Sequence, residues 1–266
     1  MSQVFSVPVR VRGYECTHDR TVGIATILSF MEHCRWEWIL VPELGLVEGL
    51  HTGHFFVVHR QTVAITRTFG IGTQLRVRAA LRKVGRVQCQ VEQDLVRDDG
   101  VLLAKAHITA VWLGPTGRMT RLPDTTRIAV TDEPLPSRDA PSSAGREGSF
   151  LSPPERSLPL VLDRHVTADI PERTERFPWT ARPSDCDMFG HVNGSNYLRA
   201  FEDALGHHAT RADIEYRGQA VAGDEMTVHR WTPSAPGHRA FALQRGHEIL
   251  CRAVLAPSTA PTEGAG

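Results

Sequence analysis

The feature that most constrains this chain is that one order of elements occurs twice. In the first half, Ile24, Ile27, Leu28, Met31 and Trp38 recur at helical spacing and predict a helix over 24–40, which Pro42 and Gly45 end. A strand-like alternation over 4–14 precedes it, with Val7, Val9 and Val11 on one face. Strand-like runs follow at His54–Arg67, Thr73–Lys83, Arg86–Arg97 and Leu102–Leu113, punctuated by Gly70, Gly72, Gly85 and the Asp99-Gly100 turn. The second half repeats this: an extended segment near Arg173–Arg182, a helix over Gly194–His207, and strands near Arg211–Arg217, Glu225–Trp231, Ala240–Arg245 and Ile249–Leu255. Ser29-Phe30-Met31-Glu32 parallels Arg199-Ala200-Phe201-Glu202, and the six residues from Gly72 parallel the six from Gly223. The order predicts an α+β fold of two units, each a long helix wrapped by an antiparallel sheet, forming an intrachain pseudo-dimer.

Composition sets the expected boundaries at 1–120 and 171–257 for the two units, with a Pro-rich connection over 121–170 and a disordered tail over 258–266. Lys+Arg and Asp+Glu number 30 each, so the balance implies no general attraction to nucleic acid or to an anionic membrane. The five cysteines are scattered and in no C-x-x-C spacing, which fits a reducing, cytoplasmic setting. No apolar run reaches spanning length, so membrane insertion is not expected. Neither a G-x-S-x-G elbow nor a glycine-rich phosphate loop follows a strand, so no serine hydrolase of the α/β type and no nucleotide cofactor is indicated. His51 and His54 are close in sequence, but no third ligand is spaced to complete a metal site, and they read as part of a polar loop.

The densest chemistry is Asp185–Tyr197, DCDMFGHVNGSNY, immediately before the second helix. In register from Glu32 and Glu202, Thr17 stands opposite Asp187, Thr21 opposite His191 and Gly23 opposite Asn193. The first half lacks the charged set, so the second is expected to carry the chemistry and the first to shape a pocket. At a helix start, Asp187 is a base for water or a nucleophile, and backbone N–H groups around Gly190, His191 and Val192 are oxyanion donors. Gly190 is expected to admit a close backbone approach. The plainer reading of Asp187 is a helix cap or an Asx turn. Asn193 is expected to tie the loop to the helix, Tyr197 to pack, and Cys186 to point away from Asp187.

Asp187, Gly190, His191, Val192, Asn193 and Tyr197 resemble the D-x-x-G-H-V-N-x-x-x-Y signature of hotdog-fold thioesterases, and the two-half chain resembles the acyl-ACP thioesterases, with two hotdog domains in one polypeptide. That resemblance implies hydrolysis of an acyl-acyl carrier protein thioester to a free fatty or polyketide-type acid, with the N-terminal hotdog holding the acyl chain. Coenzyme A thioesters are the nearest alternative substrate, because both donors share the pantetheine arm. A non-catalytic acyl-binding protein is the alternative from another class. Two departures matter. Phe189 stands where plant acyl-ACP thioesterases carry a catalytic Asn, and Gln219 where they carry a further acid, with Ala220 in place of their Cys. The implied site is therefore catalytic Asp187, with His191 and Gln219 as positioning groups and Gly190, Val192, Asn193 and Phe189 on the substrate and oxyanion side. The expected assembly is a monomer with an internal pseudo-dimer, or a homodimer.

Overall fold

The computed structural model describes residues 4–132, 134–135, 170–233 and 237–257, and the chain divides into two compact units, 1–160 and 161–266. In the first unit, β1 (Phe5–Arg10) leads to helix α1 (Ile24–Ile39), a short helix α2 (Leu46–His51), and strands β2 (Phe55–Ile65), β3 (Gln74–Val84), β4 (Gln88–Arg97) and β5 (Leu102–Leu113). The strands form an antiparallel sheet in the order β1-β3-β4-β5-β2. The second unit consists of β6 (Glu175–Thr180), helix α3 (Gly194–Leu205), β7 (Ala209–Tyr216), β8 (Glu225–Trp231), β9 (Arg239–Arg245) and β10 (Glu248–Pro257). Its order, β6-β8-β9-β10-β7, is the same topology. The repeat holds at the level of register. Val7 faces Val77 across β1 and β3, and Phe177 faces Val228 across β6 and β8.

Each helix lies on its own sheet because its apolar stripe is wide. In α1, Ile24, Ile27, Leu28, Met31 and Cys34 are buried, and the helix rests on β1 and β3, where Leu75, Val77, Ala79 and Leu81 supply the facing surface. In α3, Tyr197, Leu198, Phe201 and Leu205 do the same against β8 and β9, with the Phe201 and Phe241 rings stacked at 5.3 Å. Each large side chain so buried contributes about 1.5–3 kcal/mol. Gly206 ends α3 at φ +81, and Arg230 donates to the carbonyls of Ala204 and Leu205, satisfying acceptors the last turn leaves open.

The polar face of the first sheet carries a buried ion pair. Arg78 and Asp94 stand opposite each other on β3 and β4, and the guanidinium donates to both carboxylate oxygens, at 2.8 and 2.6 Å. Asp94 has no exposed surface. Burial pushes its carboxyl above the usual range, against the pull of Arg78.

Two stretches depart from the sequence expectations. Residues 46–51 form α2 where a polar loop is expected. Gly45 turns the chain at φ +63, and Gly49 lets the helix lie on Trp112, where a Cβ would come within 2.6 Å of the indole. His54 stacks on the same indole at 5.7 Å. Residues 121–132, assigned by composition to the connection, pack on the first unit: Leu122, Thr126 and Thr131 are buried, Thr125 donates to the Leu44 carbonyl, and the Thr131 N–H donates to that of Leu81. The rest of the connection over 136–169 and the tail over 258–266 lie outside the described residues. Among the described residues no helix is long and apolar enough to cross a membrane.

Candidate functional site

The turn that carries Asp187 is built by backbone hydrogen bonds that recur in the first unit. The Asp187 N–H donates to the His191 carbonyl at 2.8 Å and the Gly190 N–H to the Asp187 carbonyl at 3.0 Å. The Thr17 N–H donates to the Thr21 carbonyl and the Arg20 N–H to the Thr17 carbonyl, each at 2.9 Å. Val192 donates to the Ala220 carbonyl, as Val22 does to that of Phe69. The residue before the return strand is left-handed in both turns, Gly190 at φ +78 and Arg20 at φ +66.

What differs is the acid. In the first unit the turn is held by Asp19, whose Oδ1 accepts from the Thr21 N–H at 3.0 Å and from the hydroxyls of Thr17 and Thr21 at 2.5 and 2.8 Å. In the second, the acid has moved to position 187. Asp187 Oδ1 accepts from the N–H groups of Phe189 and His191, at 2.9 and 3.3 Å. Asp187 Oδ2 makes no hydrogen bond among the described residues. Asp187 is half-buried, followed in the chain by the exposed Met188, Phe189 and Gly190 and then by the buried Val192. One oxygen therefore serves the turn, as an Asx turn does, while the other is open to a proton or a carbonyl carbon.

The expected oxyanion donors are otherwise engaged. The Gly190 N–H goes to the Asp187 carbonyl, that of His191 to Asp187 Oδ1, and that of Val192 to the Ala220 carbonyl, because this segment forms a tight hairpin before the helix begins. The free donor lies slightly further on. Asn193 caps α3, its Oδ1 accepting from the Ser195 N–H at 2.8 Å, and the Asn196 N–H returns to the Asn193 carbonyl. That leaves the Gly194 N–H as the first-turn amide without a partner among the described residues. A Cβ on Gly194 would lie 3.3 Å from the Tyr216 hydroxyl.

The other expected residues fall close to Asp187 in the chain or beside it in space. His191 bridges Val221 in antiparallel fashion, so the segment carrying Gln219 runs alongside the Asp187 turn. Gln219 is exposed. The His191 ring makes no hydrogen bond to Asp187 among the described residues; it is the backbone of His191 that meets the carboxylate. Asn193 ties the loop to the helix as expected, donating from its backbone to the Asp185 carbonyl. Cys186 turns its Sγ toward the Arg182 carbonyl, away from the site. Phe189 is 39% exposed. None of the five cysteines is paired, and burial pushes the Cys34 and Cys89 thiols up to about 12, which leaves them poor nucleophiles. Among the described residues no group of His, Cys, Asp or Glu is arranged to hold a metal ion.

Gly190 differs from expectation in its reason. A Cβ there would meet nothing within 4 Å, so the glycine answers its positive φ and not a close approach. Gly190→Ala is accordingly expected to keep the turn, as Arg20 does, and to lower unfolding stability by about 1–2 kcal/mol in urea titration. A loss several times larger would mean that contact, not conformation, selects glycine.

Among the solved structures that resemble this chain are three that match nearly the whole of it. A putative oleoyl thioesterase from Lactobacillus plantarum is 17% identical, with a TM-score of 0.74 over 95% of this chain and 94% of that one. An acyl-ACP thioesterase from Bacteroides thetaiotaomicron is 14% identical, with a TM-score of 0.73 over 96% and 98%. The 12:0-ACP thioesterase from Umbellularia californica is 20% identical, with a TM-score of 0.68 over 97% and 99%. The fold is the double hotdog. No protein-family model and no curated protein matches the chain. At these identities the likeness carries the double-hotdog architecture.

Sequence reasoning missed the side chains that hold the Gln219 segment of this double hotdog. The Ala220 N–H donates to the Tyr197 hydroxyl at 2.8 Å, and the Tyr216 hydroxyl donates to the Gly194 carbonyl at 3.0 Å. Asp224 accepts from the Val221 N–H at 2.9 Å and from Arg245 at 2.5 Å, and these two, the N–H first, hold its carboxyl below the usual carboxylate range. The available signal was the absence of a tyrosine from the matching positions of the first half, where Ile27 and Ile65 stand.

Proposed function

We propose that this double hotdog hydrolyses acyl thioesters, releasing a free fatty or polyketide-type acid from acyl carrier protein, with Asp187 as base or nucleophile. The observation that carries the reading is the unequal pair of turns. Two nearly identical backbones precede the two helices, and only the second presents a carboxylate with one oxygen anchored by two amides and the other open. Anchoring at Oδ1 fixes the direction of Oδ2 before substrate arrives, so little reorganisation opposes the proton transfer. Acting as base, Oδ2 takes the proton of a water that attacks the thioester carbonyl; acting as nucleophile, it attacks that carbon and water then cleaves the mixed anhydride. Either route ends in a carboxylic acid and the free thiol of the pantetheine arm.

Charge developing on the carbonyl oxygen needs donors, and the first turn of α3 offers the Gly194 N–H at the positive end of the helix dipole. Gln219, unable to take a proton, is assigned to positioning water or substrate, and His191 to shaping the same wall. The first unit, with Thr17 and Thr21 where the second has Asp187 and His191, is assigned to acyl-chain binding. The full-length likeness to the Bacteroides and Umbellularia enzymes supports a carrier-protein donor. Arg211 and Arg217 contribute less to such docking than their charges suggest, since each lies against an acid, Asp213 at 3.5 Å and Glu215 at 2.9 Å.

The test is thiol release from matched acyl-ACP and acyl-CoA substrates of several chain lengths. Faster turnover of the carrier-protein series supports the proposal. Equal or faster turnover of coenzyme A thioesters moves the assignment to that donor, and acyl-carrier binding without thiol release would leave an acyl-binding protein.

A further inference from the structure

We infer that Tyr197 is a positioning residue for the proposed hydrolysis, its hydroxyl fixing Ala220 and thereby holding Gln219 beside the Asp187 turn. The inference rests on the thioesterase reading above. Ala220 is fully buried and held from two sides: its N–H donates to the Tyr197 hydroxyl on α3, and its carbonyl accepts from Val192 in the Asp187 turn, both at 2.8 Å. On one side of Ala220, Val221 bridges His191. On the other stands Gln219, preceded by Gly218 and Arg217, whose N–H groups both donate to the Leu250 carbonyl. Gln219 therefore rises from a backbone pinned on either side, with its side chain exposed. Pinning of this kind suits a group that must meet substrate at a set place.

The first unit shows that the fold does not need the hydroxyl. By the register that matches Thr17 to Asp187, Tyr197 corresponds to Ile27, which is fully buried. By the match of Phe69 to Ala220, Tyr216 corresponds to Ile65. The Val22 N–H still reaches the Phe69 carbonyl at 2.9 Å there. An apolar residue thus builds the same helix on the same sheet. Hydroxyls occupy both positions only in the unit that carries Asp187 and Gln219. The Tyr197 ring is itself steadied by Trp179 and Tyr216, at centroid distances of 6.3 and 6.0 Å. Burial raises its pKa, so the hydroxyl keeps its proton and serves Ala220 as an acceptor, not as a base.

The experiment uses the full chain as wild type, Tyr197→Phe, Tyr197→Ile, Gln219→Ala and Tyr197→Phe combined with Gln219→Ala. It measures thermal unfolding, amide hydrogen exchange at Ala220, and kcat and KM for thiol release. Both Tyr197 variants are expected to unfold cooperatively, since Ile27 serves in the first unit. Loss of the acceptor should speed exchange at Ala220 by about tenfold and lower kcat on the order of tenfold, with KM changed less than about twofold. In the Gln219→Ala background the same change should cost less than about twofold, because the residue through which Tyr197 acts is already gone. Unchanged exchange, wild-type kcat in Tyr197→Phe, or multiplicative losses in the double variant would each overturn the inference. If the wild type releases no thiol, the proposed function falls, and exchange at Ala220 alone decides whether Tyr197 holds the segment.

Discussion

Asp187→Asn is expected to lower kcat for thiol release by about 10²- to 10⁴-fold while leaving the melting temperature within a few degrees of wild type. The two halves of this result come from the two oxygens of one side chain. An asparagine placed with its carbonyl oxygen at the Oδ1 position still accepts from the N–H groups of Phe189 and His191, so the turn survives. Its amide nitrogen at the Oδ2 position can neither take a proton from water nor attack a carbonyl. Asp187→Ala should behave differently. It removes the acceptor as well as the proposed base, leaves two amides without their partner, and should add a stability loss of about 1–3 kcal/mol to the loss of activity. Activity of Asp187→Asn within threefold of wild type would rule out Asp187 as base or nucleophile, whatever the stability shows.

The second large effect concerns stability. Arg78→Met should destabilise the first unit by about 3–5 kcal/mol near neutral pH, because it leaves the carboxylate of Asp94 buried without its bidentate partner. The loss should shrink on acidification. Burial already raises the Asp94 pKa in the folded chain, and removal of Arg78 raises it further. The folded state then binds a proton more tightly than the unfolded state, so stability rises as pH falls through the raised folded pKa toward the unfolded value. Denaturant titrations of Arg78→Met at pH 7 and pH 5 check this. A penalty independent of pH would show that lost packing of the Arg78 stem, not the stranded charge, is the cause.

The topology was legible because burial repeats in the sequence. Ile24, Ile27, Leu28 and Met31 fix a helix by their spacing, Val7, Val9 and Val11 fix a strand, and the second half writes the same periods again. The register that set Thr17 against Asp187 was legible for the same reason, and the matching turn hydrogen bonds follow it residue for residue. Helix α2 was not legible, since six residues are too few for a period and what holds them is contact with Trp112, more than sixty residues away by number. Residues 121–132 carry Pro and Asp like a linker, yet Leu122 and Thr126 are buried by tertiary packing that composition cannot express. At the site, residue types pointed to Asp187 and to its neighbours. Which amides remained free for an oxyanion depended on hairpin closure onto Ala220, a long-range pairing. Tyr197 read as packing because its ring does pack, and the partner of its hydroxyl lies in another element.

The two acids that hold the two turns come from different positions, Asp19 from the third residue and Asp187 from the first, and this sets the order in which one turn can be converted into the other. Starting from the second unit, Asp187→Thr alone strips the amides of Phe189 and His191 of their acceptor, whereas Phe189→Asp alone adds a spare acid to a turn that is already closed. The double change passes safely only through the second intermediate. A route therefore exists by which the second turn takes on the hydrogen bonds of the first without either turn losing its acid, and it opens at position 189, not at the carboxylate proposed as the base.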